Sequence, residues 1–345
     1  ERQRLFNQPG SSWADYNAKL ISKGGGIFPR SAKSIQVTAQ MKERFQFDAD
    51  TVTPDQFINL ILKSPVELIW NGGIGTYIKA ESQSHADVGD KANDSLRVNA
   101  SELRCKVIAE GGNLGVTQEA RVEFGLKGGI SLTDFIDNSA GVDCSDHEVN
   151  IKILLNEVQR AGKLTDGRRN KLLESMTDDV AHLVLENNYN QVQAIGLAYS
   201  QMHLRHREHA GLINYLEEHA GLDRGLEFLP RNERLEERAA KQQHLTRPEL
   251  AILTSYMKMH LKAKLATVDY LDDDHLLPYL YSAFPGKLLS RYREAMHDHP
   301  LRRRIIATQL ANSVVNLLGP SFIYRMVDST ACAIADVVKA TVIVR

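Results

Sequence analysis

Cysteine is scarce in this chain. Cys105, Cys144 and Cys332 are the three present, odd in number and far apart. They make no disulfide framework, and such usage suits a reducing compartment such as the cytoplasm. Long apolar runs are also missing: none approaches the roughly 18 residues of a membrane-spanning helix. Nor is there a surplus of either charge. Lys and Arg total 42 against 43 Asp and Glu, with 16 against 17 up to residue 140 and 26 against 26 beyond it. Neither half has the cationic excess that nucleic-acid binding demands. The complete dinucleotide fingerprint G-x-G-x-x-G is lacking, because the segment GIGTYI at 73–78 has no final glycine and no acidic residue at the required spacing. No P-loop, internal repeat or low-complexity tract occurs. The chain opens on ERQRLFNQ with no apolar leader and closes on TVIVR, which reads as a piece of a longer polypeptide.

What remains is ordinary globular composition, 43% hydrophobic and 25% charged over 345 residues, enough for about two domains. Glycine divides the chain: 15 of 23 fall in residues 1–150 and 8 afterwards. Glycine collects where backbone turns tightly or approaches a ligand, so the first part reads as α/β and the second, rich in Leu, Ala, Glu and Arg, as helical.

In the first part Thr53, Pro54 and Gln56 form a capping-box start with proline at the first helical position. Phe57, Leu60 and Ile61 then share one helical face. Apolar strands are expected over 66–70 and 105–109, ending at Asn71-Gly72-Gly73 and at Glu110-Gly111-Gly112-Asn113. Helices are expected over 85–97 and about 117–127, and a short extended piece at 134–136. Strand, glycine turn and helix in alternation predict a parallel α/β sheet with its ligand site beyond the carboxyl ends of the strands.

In the second part Ser145 and Glu148 resemble another capping box, making Ser145 an expected N-cap. Further helices are expected over 168–206, 211–218, 247–268, 286–297 and 301–317. A charged linker or short helix is expected at 221–245, and a capping box at Thr246 and Glu249. Two clusters invite sharper readings. Cys144 with His147, Asp143, Asp146 and Glu148 could suggest a metal-dependent hydrolase or a thiol nucleophile. Ile151, however, stands where a second histidine ligand would be needed, and a polar helix start is the simpler account. His203, His206 and His209 recur every third residue without an acidic or thiol ligand, which favours a solvated helix face over a metal ladder. No metal site is expected.

Long strings carry a resemblance. ELIWNGGIGTY at 67–77, SHADVGD at 84–90, EGGNLGVT at 110–117, DNSAGVDCSDHE at 137–148, LEFLP at 226–230 and LTRPEL at 245–250 resemble the large bacterial NAD-specific glutamate dehydrogenases across essentially the whole chain. A more distant likeness joins EGGNLGVT and NSAGVDCS to two turns of the small glutamate and branched-chain amino-acid dehydrogenases. Gly112 and Ser139 depart from the relatives' small residues, and Gly115 stands where they have proline.

The resemblance implies an oxidoreductase of amino-acid catabolism that converts L-glutamate to 2-oxoglutarate and ammonium with NAD. It implies a partial Rossmann-like parallel sheet over 1–140 followed by a mainly helical C-terminal region over 141–345. Cofactor contacts would fall to Asn71, Gly72, Gly73, Gly111, Gly112, Asn113 and Asn138, and a substrate contact to Ser145. The amine-activating lysine and aspartate would lie outside this chain, which would hold no catalytic residue. A cytoplasmic homo-oligomer, with no nucleic-acid or membrane partner, is implied for the parent enzyme. The alternative is that the helical region is a regulatory or assembly module without chemistry of its own.

Overall fold

The computed structural model describes residues 1–344 and divides the chain into two compact units, Glu1–Ser131 and the residues from Leu132 onward. The first contains α1 (Arg2–Phe6), β1 (Ile35–Gln36), α2 (Ala39–Phe45), β2 (Thr51–Val52), α3 (Pro54–Leu62), β3 (Leu68–Asn71), β4 (Ile78–Lys79), α4 (His85–Val88), β5 (Val98–Asn99), β6 (Val107–Glu110) and α5 (Gln118–Leu126). β3 pairs with β6 in parallel, Leu68 opposite Val107 and Asn71 opposite Glu110, and β4 pairs with β5 in parallel. β1 and β2 form a small antiparallel pair. The two apolar runs thus sit side by side with their glycine turns at one end.

Local chemistry starts these helices as expected. Thr53 Oγ1 accepts from the Gln56 N–H at 3.2 Å while the Gln56 side chain accepts from the Thr53 N–H at 2.9 Å, with Pro54 in the first turn. Thr117 caps α5 by accepting from the Ala120 N–H. Ile78, Val98, Ile108, Val116, Ala120 and Phe124 bury together beneath α5 as this unit's core. The helix expected over 85–97 is shorter: Gly89 takes a left-handed conformation (φ 75°) and ends α4 after one turn, and Val98 then enters β5.

The second unit is helical: α6 (Asp134–Asp137), α7 (Ser139–Arg160), α8 (Asp166–Glu174), α9 (Thr177–Ser200), α10 (Met202–Ala220), α11 (Asn232–Ala240), α12 (Arg247–Leu265), α13 (Leu277–Ser282), α14 (Gly286–His297), α15 (Arg302–Leu318), α16 (Phe322–Thr330) and α17 (Ile334–Val344). α12 is the central element, packed by α9, α10, α15 and α17, with Leu250, Leu253, Met257, Leu261 and Leu265 all fully buried. Its first two turns are buried on every side, Pro248 to Thr254 without a break, whereas Met259, Lys262 and Lys264 reach solvent near its end. Its expected capping box is present, Glu249 accepting from both the Thr246 N–H and its hydroxyl.

Three expectations are corrected here. The piece at 134–136 is helical, in α6, and not extended. The helix expected over 168–206 is three helices, broken near Ser175 and Gln201, and the stretch 211–218 is the continuation of α10 through a kink at Arg205 (φ −119°, ψ 16°). Ser145 is no N-cap: α7 begins at Ser139 after Asn138, and Ser145 lies in its second turn. The small residues Ser139, Ala140 and Gly141 carry the helix seven residues further back than the Ser145–Glu148 pattern suggests, its N-cap being Asn138 and not Ser145.

Candidate functional site

The carboxyl ends of β3 and β6 hold the two glycine turns in contact. The Gly111 and Gly112 N–H groups both donate to the Asn71 carbonyl, at 2.7 and 3.1 Å, and the Gly73 N–H donates to the Asn71 side-chain oxygen at 3.2 Å. These amides are consumed in holding one turn to the other, so the glycines contribute closeness and not free donors. A Cβ at Gly112 would stand 1.9 Å from the Gly73 carbonyl oxygen. One at Gly115 would stand 1.7 Å from the Asn71 side-chain nitrogen, so a larger residue there requires the Asn71 side chain to move aside. The turn returns to the sheet through the Gly115 carbonyl, which accepts from the Tyr77 N–H at 2.8 Å.

Beneath the second turn lies a charge pair that the sequence patterns did not single out. Glu110 and Arg121 are 1% and 4% exposed. Arg121 donates to both carboxylate oxygens, at 2.7 and 2.8 Å, and the Glu110 carboxylate also accepts from the Val116 N–H. The fork ties the end of β6 to the face of α5 and spans the loop between them. A bidentate guanidinium–carboxylate pair fixes direction as well as distance. Spacing gave little warning of it, since Glu110 and Arg121 are eleven residues apart in different elements. A similar lock holds the first turn: Asp90 accepts from the Thr76 N–H and from Asn93, both at 2.7 Å, and these bonds hold its carboxyl below the usual range.

A cavity of about 250 Å³ opens against this end of the sheet, lined by Trp70, Asn71, Gly72, Tyr77, Ile108 and Gly115 among others. Its polar feature is the Asn71 side-chain nitrogen, which is buried and donates to nothing, although the side-chain oxygen is engaged. Trp70 stays 67% exposed beside it, an apolar plane at the rim. Asn113 is exposed in the second turn. Asn71, Gly72, Gly73, Gly111, Gly112 and Asn113 are therefore gathered at one place in the first unit.

Asn138 and Ser145 belong to the second unit. Asn138 is half-buried at the junction of α6 and α7, its N–H donating to the Asp134 carbonyl at 2.8 Å. Neighbouring Ser139 accepts from Asn188 at 2.9 Å and Gln191 at 3.0 Å, fastening the start of α7 to α9. Ser145 is exposed, its hydroxyl only weakly bonded to the Gly141 carbonyl at 3.4 Å. His147 points inward: Nδ1 donates to the Ala283 carbonyl at 3.0 Å and Nε2 lies 3.7 Å from Asp143, which Asn187 also holds. Cys144 is exposed. No group of three metal-ligating side chains converges among the described residues, and no helix among them is long and apolar enough to cross a membrane.

Comparison with known proteins gives the same family over both units. Residues 1–198 match the family described as bacterial NAD-glutamate dehydrogenase, catalytic domain, and residues 242–345 match glutamate dehydrogenase, C-terminal. The NAD-specific glutamate dehydrogenase of Pseudomonas aeruginosa is 57% identical over 345 residues, that of Halomonas elongata 51%, and that of Mycobacterium tuberculosis 44% over 348. At least 99% of this chain aligns in each case, yet the chain spans only 21% of the length of each relative.

Proposed function

Because the chain belongs to the bacterial NAD-glutamate dehydrogenase family, we propose that the polypeptide carrying it oxidises L-glutamate to 2-oxoglutarate and ammonium with NAD. The observation that carries this reading is the pair of interlocked glycine turns at the carboxyl ends of two parallel strands, with an orphaned carboxamide donor facing the cavity beside them. Ligands of parallel α/β sheets bind at that end.

The residues present fit part of a dinucleotide. A carboxamide offers a donor and an acceptor, matching a nicotinamide carboxamide or a ribose hydroxyl; Asn71, Asn113 and Asn138 would serve in this way. Gly72, Gly73, Gly111 and Gly112 would let the backbone approach a flat ring, since their own N–H groups, where bonded, face the turn. When bound, NAD supplies the hydride acceptor. The loosely held Ser145 hydroxyl would donate to the substrate carboxylate. No group of this chain is assigned a proton-transfer step. The first unit would be the second part of a Rossmann-like domain, and the parent enzyme a cytoplasmic homo-oligomer. The balanced charge of both halves supports the absence of a nucleic-acid partner.

The test is glutamate-dependent NADH formation by the intact polypeptide, with NADP and other amino acids as controls. Turnover with glutamate and NAD, and a large fall in kcat/KM in Asn113→Ala and Asn138→Ala, are expected. Turnover only with a different amino acid would overturn the substrate. Folded protein without any activity would overturn the dehydrogenase reading in favour of the regulatory module.

A further inference from the structure

The histidine ladder of α10 faces a cavity. His206, Arg207 and His209 on α10, Asn232 and Glu236 on α11 and His244 in the loop before α12 line a space of about 360 Å³. His209 is only 2% exposed and lines that space. Nδ1 of His244 is buried without a partner, and the His206 and His244 rings stand 6.3 Å apart. A buried polar group left without a partner costs about 1–3 kcal/mol. That unpartnered nitrogen, beside the almost fully buried ring of His209 on the same cavity, points to an occupant that satisfies it.

Its chemistry follows from the donors. No three ligands converge on a point, so the rings surround a molecule and not a single ion. Three imidazoles and a guanidinium present several separated N–H groups, more than the two oxygens of a carboxylate can use, but suited to the oxygens of a phosphoryl group. Glu208, the acid adjoining the ladder, is drawn elsewhere: it is bonded to Arg205, Ser321 and Arg325. Glu236 remains on the opposite wall beside Asn232, where it can accept from a hydroxyl or an amine. Leu235 and Ala239 complete an apolar side.

We propose that the cavity between α10 and α11 binds a small phosphorylated molecule, its phosphoryl group held by His206, Arg207, His209 and His244. This site owes nothing to the glycine turns and stands or falls apart from the dehydrogenase reading. Burial holds His209 down at about 4 and His244 below its ordinary value. At neutral pH His209 and His244 therefore meet an anion as neutral rings, and binding draws protons onto them. The groups that set this balance are Arg205, Arg207, Glu208, His203 and His206 from α10, Glu236 from α11 and His244 from the loop.

Inorganic phosphate titrated into the intact polypeptide by calorimetry, at constant ionic strength, is the experiment. Saturable binding is expected, with proton uptake and tighter affinity at pH 6 than at pH 8. Arg207→Gln, an exposed change that leaves the fold alone, and His209→Asn are each expected to weaken it about tenfold, the loss of one charge-assisted contact. Absence of saturable binding, binding indifferent to Arg207→Gln, or binding of Zn²⁺ without binding of phosphate would each overturn the proposal. Should His209→Asn fail to fold, Arg207→Gln and the proton count still decide.

Discussion

At Gly112 a single missing carbon lets two turns meet. Any side chain there would enter the Gly73 carbonyl, 1.9 Å from its Cβ, so Gly112→Ala is expected to push the turns apart. Overpacking of this kind costs about 1–3 kcal/mol, read as a lower thermal midpoint together with weaker NADH binding by the intact polypeptide. The pair below gives a sharper test. Glu110→Ala strands the Arg121 guanidinium in a site only 4% exposed, and breaking a buried pair from one side costs about 3–5 kcal/mol. Adding Arg121→Met is expected to recover most of that loss in urea unfolding. Strict additivity of the two changes would show that the fork contributes nothing as a pair.

At the scale of the element, two sequence patterns of the same kind have different fates. Thr246 and Glu249 form a capping box at the start of the central helix, and Glu249 is fully buried and also paired with Arg238 at 2.8 Å. Ser145 and Glu148 sit inside a helix already under way. Thr246→Ala is therefore expected to cost about 1–2 kcal/mol, and Ser145→Ala less than about 0.5, by chemical denaturation. An equal loss in both would restore Ser145 as a cap. Ser145→Ala is still expected to raise the KM for glutamate, which separates its proposed contact from any structural part.

For the whole molecule, the relevant balance is between buried histidines and pH. His209 is held at about 4, and His260 and His299 are lowered too, all chiefly by burial. In each the folded value lies below that of the unfolded chain, so the unfolded state takes up protons first as pH falls. Stability is retained above about 6.5 and lost downward toward 4, with His209 alone accounting for at most about 3 kcal/mol. The midpoint of urea unfolding is expected to fall between pH 7 and 5, and His209→Asn to flatten that slope. A midpoint independent of pH in this window would exclude the linkage. At the same scale, the catalytic-domain family match runs to residue 198, past the boundary between the two compact units at Ser131 and Leu132.

The sequence by itself determined the class of fold, the two parallel strands, the glycine turns at their ends, most helices of the second unit and the family. Each rests on short-range information: period, capping chemistry, or strings long enough to be distinctive. Tertiary structure decided the rest. The Glu110–Arg121 fork, the orphaned Asn71 amide and the meeting of His244 with the ladder of α10 join residues from different elements, and no spacing announces them. Local pattern also failed where competition was local. The Ser145 box lost to a helix that was already propagating, because extending a helix costs far less than starting one. The histidine ladder, read as solvated, is buried at His209 because α11 and the loop after it fold across that face.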